Sequence, residues 1–362
     1  MSAATTAAGI LPKTTKKTTR MRNLRKWALY ACCAMGLVPA MTACNSIDED
    51  LSDCGKDVDL LYRMRLITNM ETEIDSVLCE AGDQPVANAL RQTMRQYFND
   101  KGHDLDLSFY DRLNDGTRLL QQSKDMGGAT QASYTIYLEQ ADYRHTAVAN
   151  LAGNGVAEWL SPEWMSRSKI QNQQNDTIDS HRTGFFTGRH NVLVGKDGDR
   201  LTGIVDMYMA NDAAAVVIDT TGVKCNGMKA YIEGLGNGFQ PADSLFAHTK
   251  PQVVRTQLLP VSEGKEVCYY GMGFPSPDTA TRVTPSDVKV GSYWSMTLLV
   301  WMPDGTITRN DLYVHEPLKA ANLKIIKLKM EPTGEVTTVD AEVGVSVQLN
   351  WEDGLHFEQP TI

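Results

Sequence analysis

The side chains that could build a metal or acid–base site are widely spaced in this chain. Seven histidines are spread from His103 to His356, and none forms the His-Glu-x-x-His pattern of a zinc hydrolase. From residue 44 onward there is no Cys-x-x-Cys pair, and the acidic run DEDLSD at 48–53 lacks the glycine and terminal glutamate of a calcium loop. The sequence therefore predicts no metal site.

Two segments resemble catalytic motifs only in part. GLGNGF at 234–239 is rich in glycine, but Pro241 follows it instead of a helix whose N-terminus could hold a phosphate. Ser346, in GVSVQ, lacks the second glycine of a nucleophile elbow and is predicted to be a solvent-facing strand residue. No pattern selects a carboxylate pair for glycoside hydrolysis among the 44 acidic residues. The residues alone therefore select no catalytic group, and we expect that the folded domains need no metal or organic cofactor.

Cys44 is the cysteine for which the surrounding sequence predicts a chemical role. After Met21 come a basic stretch and then an apolar run over 27–43, which is the order of an export signal. Met41-Thr42-Ala43-Cys44 resembles a lipoprotein signal-peptidase site, where the cysteine receives a diacylglyceryl thioether and then an acyl chain on its new N-terminus. Each buried CH₂ stabilises by ~0.8 kcal/mol, so several chains together anchor a protein to a membrane.

Other interpretations of the start of the chain remain open. The apolar run has 17 residues and contains Pro39, which is short of the ~20 residues that span a bilayer, although a retained helix is an alternative. Ordinary cleavage that leaves an incidental cysteine is another. Residues 1–20 show no apolar period and suggest an over-extended start. The acidic residues at 48–53 suit either a surface-export signal or a solvated linker.

Charge and cysteine content restrict the partners. Residues 44–362 contain 28 basic and 44 acidic residues, a net charge of −16, which repels phosphate backbones and argues against nucleic-acid binding. Four cysteines follow the proposed lipid site, at 54, 79, 225 and 268. Disulfides between 54 and 79 and between 225 and 268 are one arrangement, and free buried cysteines are the other.

The elements that must position any site are mostly strands. DLDLSFY at 104–110 and YWSMTLLVWM at 293–302 alternate apolar and polar residues, as half-buried strands do. Hairpin turns are expected at LNDG, KDGD, PDGT and PTGE. One helix is predicted after Pro85, from an apolar stripe that recurs every four residues, and a second short helix after Ser161. Residues 168–182 are predicted to be a loop. A third alternating stripe, in VGVSVQLNW, consists of Val343, Val345, Val347, Leu349 and Trp351.

Short strands with hairpin turns favour two antiparallel β-sandwich domains. We expect a removed leader and signal peptide at 1–43, an acidic tether at 44–57, and sandwich domains at 58–200 and 201–362, with the boundary near the KDGD turn.

The order of several motifs resembles the fimbrillin-A-associated anchor family, lipoproteins at the base of type V fimbriae on the outer membrane. The motifs are EDLSDC at 49–54, LSFYDRLNDG at 107–116, YTIYLEQADYRHTAVANLAG at 134–153, FFTGRHNVLV at 185–194, IVDMYMANDAAAVVIDTTG at 204–222 and the final VSVQLNWEDG. EDLSDC just after a lipid cysteine is the most specific of them. The resemblance implies two transthyretin-like sandwiches, a lipid on Cys44, no catalysis, fimbrial subunits as partners and a cell-surface location.

The stripe from Val343 to Trp351 has two interpretations. Subunits of such fimbriae are thought to join by strand exchange, and a nine-residue alternating segment, about 30 Å long when extended, suits a donated strand. It equally suits the last strand of its own domain. A different function, a surface glycan-binding lipoprotein, would need a platform of exposed aromatics. The candidates are Trp159, Trp164, Trp294, Trp301 and Trp351.

Overall fold

The computed structural model describes residues 55–350 except 115, 161, 196–200, 251, 262–264, 280–290 and 340–344. Cys44, Cys54, Val343, Trp351, the leader, most of the tether and the KDGD turn lie outside the described residues.

Among the described residues the fold is mostly β, as predicted, with two α-helices. The helices are α1 (Met70–Val77) and α2 (Gln84–Tyr97), with a 3-10 turn at Ala81–Asp83 between them. The strands are β1 (Lys56–Arg65), β2 (Gly102–Asp111), β3 (Arg118–Ala129), β4 (Gln131–Leu138), β5 (Ala141–Ala149), β6 (Ala157–Leu160), β7 (Lys169–Asn172), β8 (Thr177–Asp179), β9 (Phe186–Val194), β10 (Leu201–Met209), β11 (Asp212–Asp219), β12 (Gly227–Glu233), β13 (Gly238–Gln240), β14 (Leu245–Ala247), β15 (Val253–Arg255), β16 (Gln257–Leu258), β17 (Glu266–Gly273), β18 (Trp294–Trp301), β19 (Ile307–Val314), β20 (Leu323–Met330), β21 (Val336–Thr338) and β22 (Val345–Asn350).

The described strands form four sheets. A seven-stranded sheet has the order β3-β2-β5-β9-β10-β1-β4, and a small sheet of four has the order β14-β13-β7-β6. A five-stranded sheet (β16-β17-β11-β20-β21) and a six-stranded sheet (β22-β19-β18-β12-β15-β8) face each other across a second core.

The predicted strand in DLDLSFY is confirmed as β2, whose Leu105, Leu107 and Phe109 are fully buried. The helix predicted after Pro85 is confirmed as α2. Its residues Val86, Leu90 and Met94 pack into the core beneath the seven-stranded sheet, because the four-residue spacing places them on one face.

Strand β11 belongs to two cores at once. Ala213, Ala215 and Val217 pack with the helices and the seven-stranded sheet, whereas Ala214, Val216 and Ile218 face the six-stranded sheet. A strand covered on both faces has no polar side to show, which explains the apolar run AAAVVI. The five-stranded sheet therefore forms a wall of both cores.

Two local predictions are wrong. The predicted loop 168–182 contains β7 and β8, because β7 pairs with β6 and with the later β13, and β8 pairs with the later β15. The short helix predicted after Ser161 is not found in residues 162–168, which form turns, since Trp164 bridges to Thr117 and the amide of Met165 bonds to Gly116 O. Helix α1 was not predicted.

The sheets interleave around the predicted domain boundary. Strand β10, after residue 200, pairs in parallel with β1 in the first sheet, while β8 pairs with β15 of the six-stranded sheet. The chain changes sheets between Met209 and Asp212. The division at 200 stays a prediction.

Candidate functional site

Three of the predicted strand-exchange residues lie in β22, at one edge of the six-stranded sheet. Val345 and Val347 are half-buried and pair with Val314 and Leu312 of β19, which are fully buried. The backbone of Leu349 pairs with Asn310. The described part of the stripe is therefore the last strand of its own sheet, packed against the second core.

The two edges of this sheet differ in charge. At the far edge, Asp179 of β8 receives a 2.6 Å ion pair from Arg255, and charges of this kind discourage the addition of another strand. In contrast, β22 has the uncharged sequence VSVQLN. Its Ser346 is half-buried, with Oγ 3.0 Å from Nε2 of His315, rather than simply solvent-facing as predicted.

Displacing β22 would open a groove with defined chemistry. Leu312 and Val314 would lose their apolar cover, and the backbone of β19 would lose its antiparallel partner. An incoming strand with alternating apolar residues satisfies both needs at once. The edge is therefore built in a way that is compatible with strand exchange as well as with simple closure of the sandwich.

The two helices and the 3-10 turn between them form a helical hairpin. A buried ion pair joins this helical hairpin to the five-stranded sheet. Lys327 Nζ of β20 lies 2.8 Å from Oδ1 of Asp83, and the two side chains are only 9% and 2% exposed. Burial is the largest single influence and opposes the charge of each, but the mutual hydrogen bond, the opposite charge of the partner and neighbouring hydrogen bonds together outweigh it, lowering the pKa of Asp83 and raising that of Lys327. Next to them, burial and the hydrogen-bonded Asp83 raise the pKa of Glu266 to about 7.

Further hydrogen bonds join the hairpin to β20. Asn69 Oδ1 accepts from the amide of Leu323, and Glu73 Oε1 accepts from the amide of Ile325, each at 2.8–2.9 Å. Nothing in the sequence around these residues signals the contacts, because the partners lie about 250 positions away in the chain.

Two histidines are fully buried and form part of the framework. His181 donates from Nε2 to Asn172 Oδ1 at 2.8 Å and accepts at Nδ1 from Asn211 at 2.7 Å. His145 accepts from the Tyr62 hydroxyl at 2.9 Å. Burial lowers the pKa of both histidines to about 3, so they are neutral and enclosed.

Asp212, at the start of β11, is a second unusual buried group. It is fully buried, and neither carboxylate oxygen has a hydrogen-bond partner among the described residues. Burial raises its pKa well above the usual range, because removal from water disfavours the charged carboxylate.

The predicted aromatic candidates have different environments. Trp294 and Trp301 are buried in β18, so they belong to the core. Trp164 is 39% exposed, and Trp159 is half-buried beside a cleft. Phe185 and Phe186 are fully buried.

Several sequence expectations concern absent features. In the described part of the chain, no three His, Cys, Asp or Glu side chains are close enough to hold a metal ion. Cys79, Cys225 and Cys268 are free thiols, so a disulfide between 225 and 268 does not form. No helix among the described residues is long and apolar enough to cross a membrane.

Comparison with known proteins identifies the fold. No protein-family model matches the chain, and no curated protein matches it by sequence. Among solved structures, the fimbrial anchor protein Mfa2 from Porphyromonas gingivalis superposes with a TM-score of 0.50 at 11% identity, over 82% of this chain and 99% of that one. A candidate adhesin from Bacteroides ovatus ATCC 8483 gives a TM-score of 0.50 at 10% identity, over 84% and 100%. The chain therefore shares the fold of a fimbrial anchor protein and of a candidate adhesin.

Proposed function

We propose that this protein is an outer-membrane lipoprotein that anchors or assembles fimbriae, as a base or accessory subunit, and so supports adhesion of the cell. The observation that carries the proposal is the fold shared with a fimbrial anchor along nearly the whole of that protein. The motif order after Cys44 and the export signal before it support the same function. The partners are fimbrial subunits on one side and the outer membrane on the other.

Cys44 supplies the membrane attachment in this proposal. The segment between it and β1, which starts at Lys56, is about 12 residues long and reaches at most about 40 Å when extended. A tether of that length lets the folded part stand clear of the lipid headgroups while the acyl chains hold it to the membrane.

The lipid attachment can be tested with a matched pair of cysteine variants. Cys44→Ala should abolish labelling by a palmitate probe and release the protein from membranes. Cys79→Ala changes an exposed free cysteine and should leave both properties unchanged. Equal labelling of the Cys44 variant and the wild type would contradict the lipid assignment.

The anchoring function is tested by deleting the gene in a strain that expresses its fimbrial subunits. We expect fimbriae to be shed into the medium, because the link between fibre and membrane is lost. Normal-length fimbriae that stay attached to the deletion strain would overturn the proposal.

We further propose that the segment containing β22 is where a fimbrial subunit joins by strand exchange. Its edge position, uncharged sequence and alternating valines support this role. A disulfide between β22 and β19 tests it, since a locked strand cannot be donated or displaced. Tyr313 and Ser346 are directly opposite each other. The Cα atoms of such antiparallel partners lie about 4.5–5.5 Å apart, a distance that a disulfide can bridge.

The oxidised Tyr313→Cys/Ser346→Cys protein should fold and carry lipid yet release fimbriae, and a reductant should restore attachment. The matched control is Tyr231→Cys/Arg255→Cys, whose disulfide joins β12 to β15 and leaves the β22 edge untouched. Cells with this control should retain their fimbriae. If cells with the oxidised β22–β19 disulfide retain all their fimbriae, strand exchange at β22 is refuted. The anchoring function itself is tested separately by the gene deletion.

A further inference from the structure

A cleft opens between β2 of the seven-stranded sheet and the small four-stranded sheet. Its volume is about 390 Å³, within the range of small-ligand sites. Leu151 and Val156 supply apolar surface, and the indole of Trp159 forms part of the wall. None of these residues takes part in the proposed lipid attachment or strand exchange.

The indole of Trp159 is held in place from behind. Its Nε1 donates a 2.7 Å hydrogen bond to Ser168 Oγ, which also accepts from the buried Tyr110 hydroxyl at 2.9 Å. The ring packs on the apolar cluster that contains Ile170 and Phe185. Because the ring is already fixed and half-buried, little side-chain freedom remains to be lost when a ligand packs on it.

Hydrogen-bond acceptors line the same cleft as this ring. Asp106 is half-buried, and Ser123 donates to its Oδ1, while the structure shows no partner for Oδ2 among the described residues. Glu158 is exposed and lines the same cleft. The side-chain amide of Gln173 donates to Gly155 O, which orients its carbonyl oxygen as a further acceptor.

The charge of the lining selects against some ligand classes. Two carboxylates and no lysine or arginine occur among the described residues that line the cleft. Phosphate, sulfate and carboxylate ligands would be repelled by these two carboxylates, and the guanidinium of Arg182 packs beside Gly155 without being part of the lining. A neutral molecule with many hydroxyl donors and one apolar face matches the aromatic wall and the acceptors together.

We propose that this cleft binds a neutral saccharide, with the apolar face of one sugar ring on Trp159 and its hydroxyls donating to Asp106, Glu158 and Gln173. The volume suits one or two sugar rings. This activity goes beyond anchoring, because it gives the protein a contact with a glycan that is independent of the fibre.

The test is a glycan array probed with the full chain, kept soluble in a detergent that has no sugar headgroup. The array carries neutral oligosaccharides of glucose, galactose, mannose and N-acetylglucosamine, together with sialylated and sulfated ones. We expect the protein to bind neutral glycans on the array. Titration calorimetry with the glycan that binds most strongly then gives the affinity. Trp159→Leu should weaken it at least about tenfold and Glu158→Ala several-fold.

Trp164→Leu is the control, because Trp164 is partly exposed but does not line the cleft. The affinity of this variant for the glycan should equal that of the wild type. Glu158→Ala keeps the test decisive if circular dichroism shows that Trp159→Leu is misfolded, since Glu158 is exposed. Absence of binding to every neutral glycan, an affinity that Glu158→Ala leaves unchanged, or binding to the sialylated and sulfated glycans alone would each overturn the proposal.

Discussion

Removing the positive charge from Lys327 is the sharpest test of how the helical hairpin is held. Lys327→Met keeps the length and apolar character of the side chain but leaves Asp83, only 2% exposed, without its 2.8 Å partner. Breaking a buried ion pair from one side typically costs 3–5 kcal/mol. Asp83 retains the 3.1 Å hydrogen bond to the Glu80 amide, so we expect the lower end, about 3 kcal/mol.

The pH dependence gives this prediction a second signature. In the variant, Asp83 and Glu266 share one buried site without a cation, so a proton on the pair becomes more favourable. The destabilisation should therefore be smaller at pH 5 than at pH 8. Asp83→Asn in the same chain removes the unpaired charge, and the double variant should be more stable at pH 8 than Lys327→Met alone.

Thermal unfolding followed by circular dichroism and tryptophan fluorescence measures these differences. A loss of about 3 kcal/mol corresponds to a fall in Tm of roughly 5–10 °C. Lys324→Met is the matched control on the same strand. It loses a 3.0 Å ion pair with the exposed Glu316 and a longer, 4.0 Å contact with Glu73, so its cost should be about 1 kcal/mol. A cost below about 1 kcal/mol for Lys327→Met, or strictly additive effects of the two substitutions, would refute the reasoning.

Three further predictions concern buried groups. Burial and a neighbouring carboxylate raise the pKa of Glu266 from 4.5 to about 7, so the wild type should lose about 1–2 kcal/mol of stability as pH rises across that interval, after allowance for partial exposure. Glu266→Gln should flatten this slope in urea unfolding, and an unchanged slope would contradict the assignment. Burial also raises the pKa of Asp212, so the folded protein loses stability as pH rises and this buried carboxyl becomes charged. Asp212→Asn should therefore have a higher Tm than the wild type at pH 8 but not at pH 4. A Cβ at Gly184 would lie 2.6 Å from the backbone oxygen of Tyr97, so Gly184→Ala should lower Tm markedly. Gly82→Ala is the control, because a Cβ there would have no atom within 4 Å and Tm should not change. Equal Tm values for the two variants would show that the chain relaxes at Gly184.

The sequence by itself determined the elements that bury one face. Alternation identified β2 through Leu105, Leu107 and Phe109, and a four-residue stripe identified α2, because in each case the period records which side chains leave water. Turn chemistry likewise placed the hairpins at PDGT and PTGE, since those residues adopt the required backbone angles locally. The mostly β class followed from the same local signals.

The tertiary structure alone decided which elements meet. Lys327 and Asp83 are 244 residues apart, and no local pattern marks either as a partner of the other. The polar segment 168–182 forms strands because β6, β13 and β15 supply backbone partners, and β11 is apolar on both faces because two cores share its sheet. The cleft beside Trp159 is likewise formed by two sheets that come together only in the fold. A period in the sequence reports burial of a face but not the identity of what covers it, and that identity is fixed by packing between distant parts of the chain.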